Sequence, residues 1–406
     1  MRNVVFVAPF FLETTLRFVD AVASLPGVRL GLISQDPASR LPPGLRAKIA
    51  AHETVTDALD PAVLSEAVGS LRDELGSVDR LLGALEELQV PLGEIRDAFG
   101  IAGVGAETAE NFRDKARMKS VLAAHGLPCA RHVLATSVER AVEGARALGY
   151  PLVVKPPAGS GARRTFRVDE ERQLLAALAP DPPTADHPAL VEEFVTGEEL
   201  SFDSIMLDGE IVWHSINHYI PGPLEVLREP WIQWCVLLPR EVDAPEYDAI
   251  RSAAADSLRV LGLVNGLTHM EWFQRPDGSV AVSEVGARPP GAQFTTLISW
   301  AHDFDLYAAW ARLMVFDEFE PQPRPYAAGA AYLRGQGRGR IQTVHGLEQV
   351  RDELGPLVVE ARLPREGQSS SGTYEGEGYI ILRHPETAVV EKGLRRIVNN
   401  VRVELG

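Results

Sequence analysis

Two glutamates and an arginine near the middle of the chain have the types and spacing for metal and phosphate chemistry. They fall in the stretch from His269 to Gly291, HMEWFQRPDGSVAVSEVGARPPG. Two strand-like runs, Thr268–Phe273 and Ser279–Val285, flank Arg275-Pro-Asp-Gly278, whose Pro-Asp-Gly order is a turn signal, so the stretch predicts a β-hairpin. Side chains alternate faces along a strand, which groups Glu271 with His269 and Phe273, and Glu284 with Val280 and Val282. Folding the hairpin can bring the two carboxylates together. Like charges that close are costly without a cation between them, and oxygen-only ligands suit a hard ion such as Mg²⁺. Glu271 and Glu284 are therefore read as metal ligands, against the plainer reading of two exposed hairpin charges. Arg288 follows in Gly286-Ala-Arg288-Pro-Pro-Gly291, where its guanidinium can hold a phosphate oxygen in a bidentate fork. Metal and arginine together point to phosphate chemistry.

Three lysines, Lys115, Lys119 and Lys155, fall within one short span. A β-branched strand ending at Lys155 runs into a Gly/Ser-rich turn that includes Ser160, and Thr165–Val168 reads as its return strand. Glycines there let backbone N–H groups close over phosphate oxygens while the lysine offers a point charge. The competing reading is an ordinary glycine turn. It is not a Walker-type loop, since G-x-x-x-x-G-K-[ST] occurs nowhere. Lys115 and Lys119 sit on a polar helix expected from Thr108 to His125, and Lys119 taken alone reads as part of a solvated face. Ala189–Val195 is a further strand, followed by Thr196-Gly-Glu-Glu199. Its free backbone edge can pair with adenine, and a carboxylate a few residues on can accept from ribose hydroxyls.

A chain of 406 residues holds two or three packed units, and 45% hydrophobic with 24% charged residues is ordinary for a soluble globular protein. A formal net charge of -16 argues against nucleic acid or anionic membrane as a general partner. Cys129 and Cys235 form no CxxC pair, so no disulfide framework or cysteine zinc site is indicated, and both read as small buried apolar residues. The apolar opening is broken by Pro9 and stopped by Glu13, which fits a buried first strand better than a signal peptide. No uncharged apolar run reaches the roughly 18 residues of a membrane span. The expected location is cytoplasmic.

In chain order, strand Val4–Ala8, helix Thr14–Leu25 and strand Val28–Ser34 open a parallel sheet. Asp60–Glu74 and Arg80–Val90 have helical apolar spacing, with Asp60-Pro61 as cap and first position. Residues 1–105 thus predict an open α/β domain, without the G-x-G-x-x-G of a dinucleotide site. Helices are expected over Glu139–Leu148, Glu246–Leu261 and Phe304–Phe316, and a hairpin around Asp208-Gly209. The proline-rich Glu318–Pro325 marks a boundary before a C-terminal α+β part, residues 319–406.

Lys115 in Asp-Lys-x-x-x-Lys, Lys155 in Val-Val-Lys-Pro, the Val-Glu-Glu-Phe-Val strand, Gly-x-Glu199 and Glu271 with Glu284-x-Gly-x-Arg288 follow one another in an order that resembles the ATP-grasp superfamily, over roughly residues 105–318. The resemblance implies an ATP-grasp fold: an N-terminal α/β domain, then two ATP-clasping lobes, the glycine-hairpin lobe at about 127–195. It implies Lys115 and Lys155 on the nucleotide phosphates with Ser160 in the covering turn. Glu192, Glu193 and Val195 would lie on the adenine, Glu199 on the ribose, Glu271 and Glu284 on Mg²⁺ (or Mn²⁺), and Arg288 on the transferring phosphoryl group. Many members have Asn where Gly286 stands, while Glu-x-Gly-x-Arg-Pro is similar to the variant in amino-acid ligases of this superfamily. The implied reaction is carboxylate–amine ligation through an acylphosphate with release of ADP, on amino acids or related small acids and amines. The alternatives are an ATP-grasp carboxylase or phosphotransferase, or a nucleotide-binding module without turnover. His214, His218, His269 and His302 read as structural, and a homodimer is the base-rate expectation.

Overall fold

The computed structural model describes residues 1–159, 164–228, 232–371, 373 and 375–406. The first hundred residues form a four-stranded parallel sheet of Arg2–Val7, Val28–Ser34, Ile49–Thr54 and Arg80–Gly83, with the third strand at one edge and the fourth at the other. Helix Pro61–Leu75 starts where expected: the Asp60 carboxylate accepts from Ala62 and Val63 N–H, Pro61 takes the first position, and Gly76 ends it at φ 91°. The helix expected over Arg80–Val90 is not there. Arg80–Gly83 is a strand buried along its whole length, and the helix runs later, over Gln89–Phe99. A short apolar run covered on both faces has no period by which to tell strand from helix.

The polar helix expected over 108–125 is two helices, Ala106–Arg113 and Lys115–Ala124. Asp114 leaves helical geometry (φ −93°, ψ 107°) and its carboxylate caps the second helix through Ala116 and Arg117 N–H. The break sets Lys115 on the first turn of the second helix, where its side chain is buried.

A smaller sheet follows, made of His132–Ala135, Ala189–Glu193, Leu152–Lys155 and Phe166–Val168 in that spatial order. Helices Val138–Leu148 and Glu171–Leu178 cover one face over a core of Ala141, Ala145, Leu152, Leu174 and Val191.

The largest sheet has eight antiparallel strands in the order Val280–Gly286, Gly266–Gln274, Glu198–Leu207, Glu210–Ile220, Trp234–Leu238, Ala327–Leu333, Gly378–His384, Val358–Arg362. Strand alternation separates two cores. Phe202, Met206, Ile216, Met270 and Trp272 pack with Ile250 and Leu258 of helix Asp248–Leu261. Ile205, Tyr219 and Leu267 belong instead with helices Phe294–His302 and Leu306–Phe316. Phe18 of the first domain meets Trp310 and Tyr307 there, with ring centroids 4.8 and 4.7 Å apart, so the parallel sheet is joined to the large one by aromatic packing. The expected boundary at 318/319 falls inside this eight-stranded sheet, because Trp234–Leu238 pairs with Ala328–Tyr332 across it.

Candidate active site

The predicted hairpin forms. Its turn is closed by Arg275 N–H to Ser279 O at 2.8 Å, with Asp277 accepting from the Ser279 hydroxyl and Gly278 at φ 82°. Glu271 and Glu284 are direct cross-strand partners, next to a bulge at Glu271/Trp272. Both line one cavity of about 870 Å³. Burial and the Glu284 charge push the Glu271 carboxyl above its ordinary range. For Glu284 burial acts in the same sense, but Lys115 and Lys155 overcome it and hold the group ionised. The Lys115 ammonium lies 2.8 Å from Glu284 Oε1 and donates to Gly159 O at 2.9 Å, tying the start of the glycine-rich turn to the acidic strand. Ser160 lies outside the described residues.

Lys119 does not lie on a solvated face. It is 0% exposed, donates to Ser283 O at 2.7 Å and sits 3.3 Å from Glu192 Oε2. Lys155 takes the other carboxylate oxygen, Glu192 Oε1, at 2.6 Å. The single-turn view of a helix could not show that a strand from another lobe would cover this lysine. Burial pulls the Lys119 ammonium down. Burial would raise Glu192, but the two lysines hold it down at about 2. Glu192 therefore departs from the adenine-edge reading: its side chain is an ion-pair anchor, and its backbone is paired on both sides, with His132 and Val153. The chain runs on beyond it to Val195. There Val195 packs with Ala130, Ala281 and Phe273 into an apolar patch, while the Glu193 carboxylate is turned to Arg131 Nε at 2.7 Å.

Glu199 is placed by a close backbone approach. A side chain at Gly197 would come within 2.4 Å of Gln274 O, so only glycine lets the Gly-x-Glu segment lie against the hairpin. That sets Glu199 beside Phe273 in register, facing the cavity. Burial and the nearby Glu271 charge raise its carboxyl to about 8.

Arg288 lines the same cavity and forks onto a residue the sequence did not single out. Its Nη2 and Nε lie 2.6 and 3.2 Å from Glu86 Oε2, in the short turn Glu86–Leu88 of the first domain. The other oxygen of Glu86 accepts from Arg113 at 3.0 Å. Nothing in Leu85-Glu-Glu-Leu88 marks one glutamate for this role; only the docking of the first domain reveals it. His269, read as structural, is 2.5 Å from the buried Asp203 through Nδ1, and its Nε2 is 3.4 Å from the Tyr219 hydroxyl. It also lines the cavity. A side chain at Gly286 would meet Arg288 at 3.6 Å, an ordinary contact, so the backbone does not enforce glycine there. Among the described residues no three His, Cys, Asp or Glu side chains converge as a metal cage. Two carboxylates alone match Mg²⁺, which keeps waters and takes further ligands from phosphate oxygens. Of the cysteines, Cys235 is buried and Cys129 is half-buried.

No family model matches the chain. The fold is the ATP-grasp fold, as in the L-amino acid ligase from Bacillus licheniformis, which is 20% identical with a TM-score of 0.79 over 100% of this chain and 99% of that one. The biotin carboxylase domain of 2-oxoglutarate carboxylase from Hydrogenobacter thermophilus, solved with MgADP and bicarbonate, has a TM-score of 0.71 at 16% identity, covering 99% of this chain and 90% of that one. In sequence the chain is similar to the L-arginine-specific L-amino acid ligase of Bacillus subtilis, 26% identical over 293 residues, 71% of this chain and 70% of the relative. Among the described residues no helix is long and apolar enough to cross a membrane.

Proposed function

We propose that the chain is an ATP-dependent carboxylate–amine ligase acting on amino acids or related small acids and amines, through an acylphosphate and with release of ADP and phosphate. The observation that carries this reading is the convergence of Glu271, Glu284, Lys115, Lys155 and Arg288 on one cavity that also ends in the apolar patch at Val195. The solved relative with MgADP and the two L-amino acid ligases support the nucleotide and the substrate class.

In this reading adenine lies on the edge at Glu193–Val195 and Glu199 accepts from the ribose. Lys115 and Lys155 face the phosphates, each already oriented by a carboxylate. Glu271 and Glu284 would hold Mg²⁺, which when bound spreads the charge of the phosphate oxygens. Arg288, fixed by Glu86, turns its guanidinium charge to the transferring phosphoryl group. The substrate carboxylate attacks the γ-phosphorus and ADP leaves. An amine then attacks the acyl carbon, phosphate leaves, and the amine's proton is released. No side-chain nucleophile is required.

The test is product analysis with hydroxylamine as amine. ADP, phosphate and an acid-dependent hydroxamate are expected; AMP with pyrophosphate, or a phosphorylated product without hydroxamate, refutes the reading.

A further inference from the structure

The cavity has three zones, and the reading above uses two. One end is the apolar patch of Val195 and Phe273, and the middle is charged. Beyond Glu271 and Arg288 the wall turns aromatic again, with Tyr219, Trp234 and Phe294, closed by Val226 and Ala292. The second apolar end adjoins the reacting centre: the Phe294 ring centroid is 5.4 Å from that of His269, two residues from Glu271. Its rings hold one another. Tyr219 and Phe294 meet edge-on at 6.0 Å and 72°, and Trp234 lies flat on Tyr332 at 4.4 Å and 15°. The Tyr332 hydroxyl donates to Ala292 O, which fixes the back of the wall. The nearby Arg334 turns away, donating to Val226 O at 2.8 Å and Ile232 O at 3.1 Å. Carboxylates adjoin this end on its inner side, where the Glu271 charge acts on Tyr219, and behind the wall, where Glu375 accepts from Gln293 and the Ala292 backbone; Glu225 is exposed at the rim.

We propose that this aromatic zone seats the side chain of the acyl-donating substrate, and that it takes an apolar, preferably aromatic, side chain with the substrate carboxylate toward Arg288. The proposal rests on the ligase reading of the same cavity. A wall of fixed rings rewards stacking and apolar burial, whereas a carboxylate side chain placed there would lose water beside Glu271 and Glu375.

Calorimetric binding of L-phenylalanine, L-leucine, glycine and L-aspartate to the full chain with Mg²⁺ and ADP tests the seat, with ADP release on ATP measured for the same acids. L-phenylalanine is expected to bind at least ~10-fold tighter than L-aspartate or glycine. Trp234→Ala should weaken it by ~10-fold or more. Because Trp234 also supports Tyr332, Val226→Phe is the second variant: filling the seat should reverse the order, glycine above L-phenylalanine. Glycine or L-aspartate binding as tightly as L-phenylalanine, or an unchanged order in Val226→Phe, overturns the assignment. Selective binding of L-phenylalanine with no ADP release on ATP would refute ligation and keep the seat; ADP release equal across the panel would refute the seat and keep ligation.

Discussion

Lys119→Met removes the ammonium between Glu192 and the Ser283 carbonyl while keeping most of the side chain's volume, so a packing void contributes little. In the parent, Lys119 is 3.3 Å from Glu192 Oε2 and 2.7 Å from Ser283 O. Deleting one partner of a buried ion pair costs about 3–5 kcal/mol. Lys155 stays at 2.6 Å on the other oxygen of Glu192, so the charge is not left bare and the lower end applies, about 3 kcal/mol. The unpaired Ser283 carbonyl adds about 1 kcal/mol. Urea unfolding read at the midpoint, at unchanged slope, measures the loss. Glu192→Leu alone should be comparably costly, since it leaves two lysines facing each other. The double variant should cost less than the sum of the singles by more than ~1 kcal/mol, because the two groups act as one unit. A loss under ~0.5 kcal/mol for Lys119→Met, or strict additivity, would refute the argument that this lysine is an internal tie.

Three further outcomes follow from the site. Glu284→Gln should abolish ADP release and leave the circular dichroism spectrum unchanged; undiminished turnover would move the chemistry elsewhere. Glu86→Gln weakens the fork on Arg288 and should lower kcat by up to ~100-fold with little change in the KM for ATP, measured by steady-state ADP release. Glu199 is held near 8, above its ordinary value of 4.5, so the folded protein keeps a proton that the unfolded chain releases between these values. Its contribution therefore lowers stability as pH rises from 4.5 to about 8, and thermal melts of nucleotide-free Glu199→Gln should show a shallower fall over that window; parallel pH profiles for parent and variant would contradict the assignment.

The parts of this site that lie on one local element were legible in the sequence. The hairpin and the facing of Glu271 on Glu284 followed from alternation and a turn signal, and the strand that delivers Lys155 from its β-branched run. The parts that depend on two distant segments meeting were not. Lys119 and Glu192 are separated by more than a lobe's sheet in the chain, and no period of either element reveals the other. Glu86 is similarly hidden, since its role exists only where the first domain docks on the hairpin. The missed strand Arg80–Gly83 and the break at Asp114 have a simpler cause: apolar spacing cannot separate a covered strand from a helix turn, and an internal aspartate can serve as a cap as readily as a surface charge.

The continuity of the eight-stranded sheet sets where the protein can be cut. Strand Trp234–Leu238 would be stripped of its neighbour by a break at the proline-rich connector, leaving five residues of unsatisfied ladder on each fragment and opening the aromatic wall between Trp234 and Tyr332. Chimeras that exchange everything after residue 325 would therefore replace three strands of an eight-stranded floor and not a separable module. Exchanging the first hundred residues keeps each sheet whole, provided a carboxylate is supplied where Glu86 now stands.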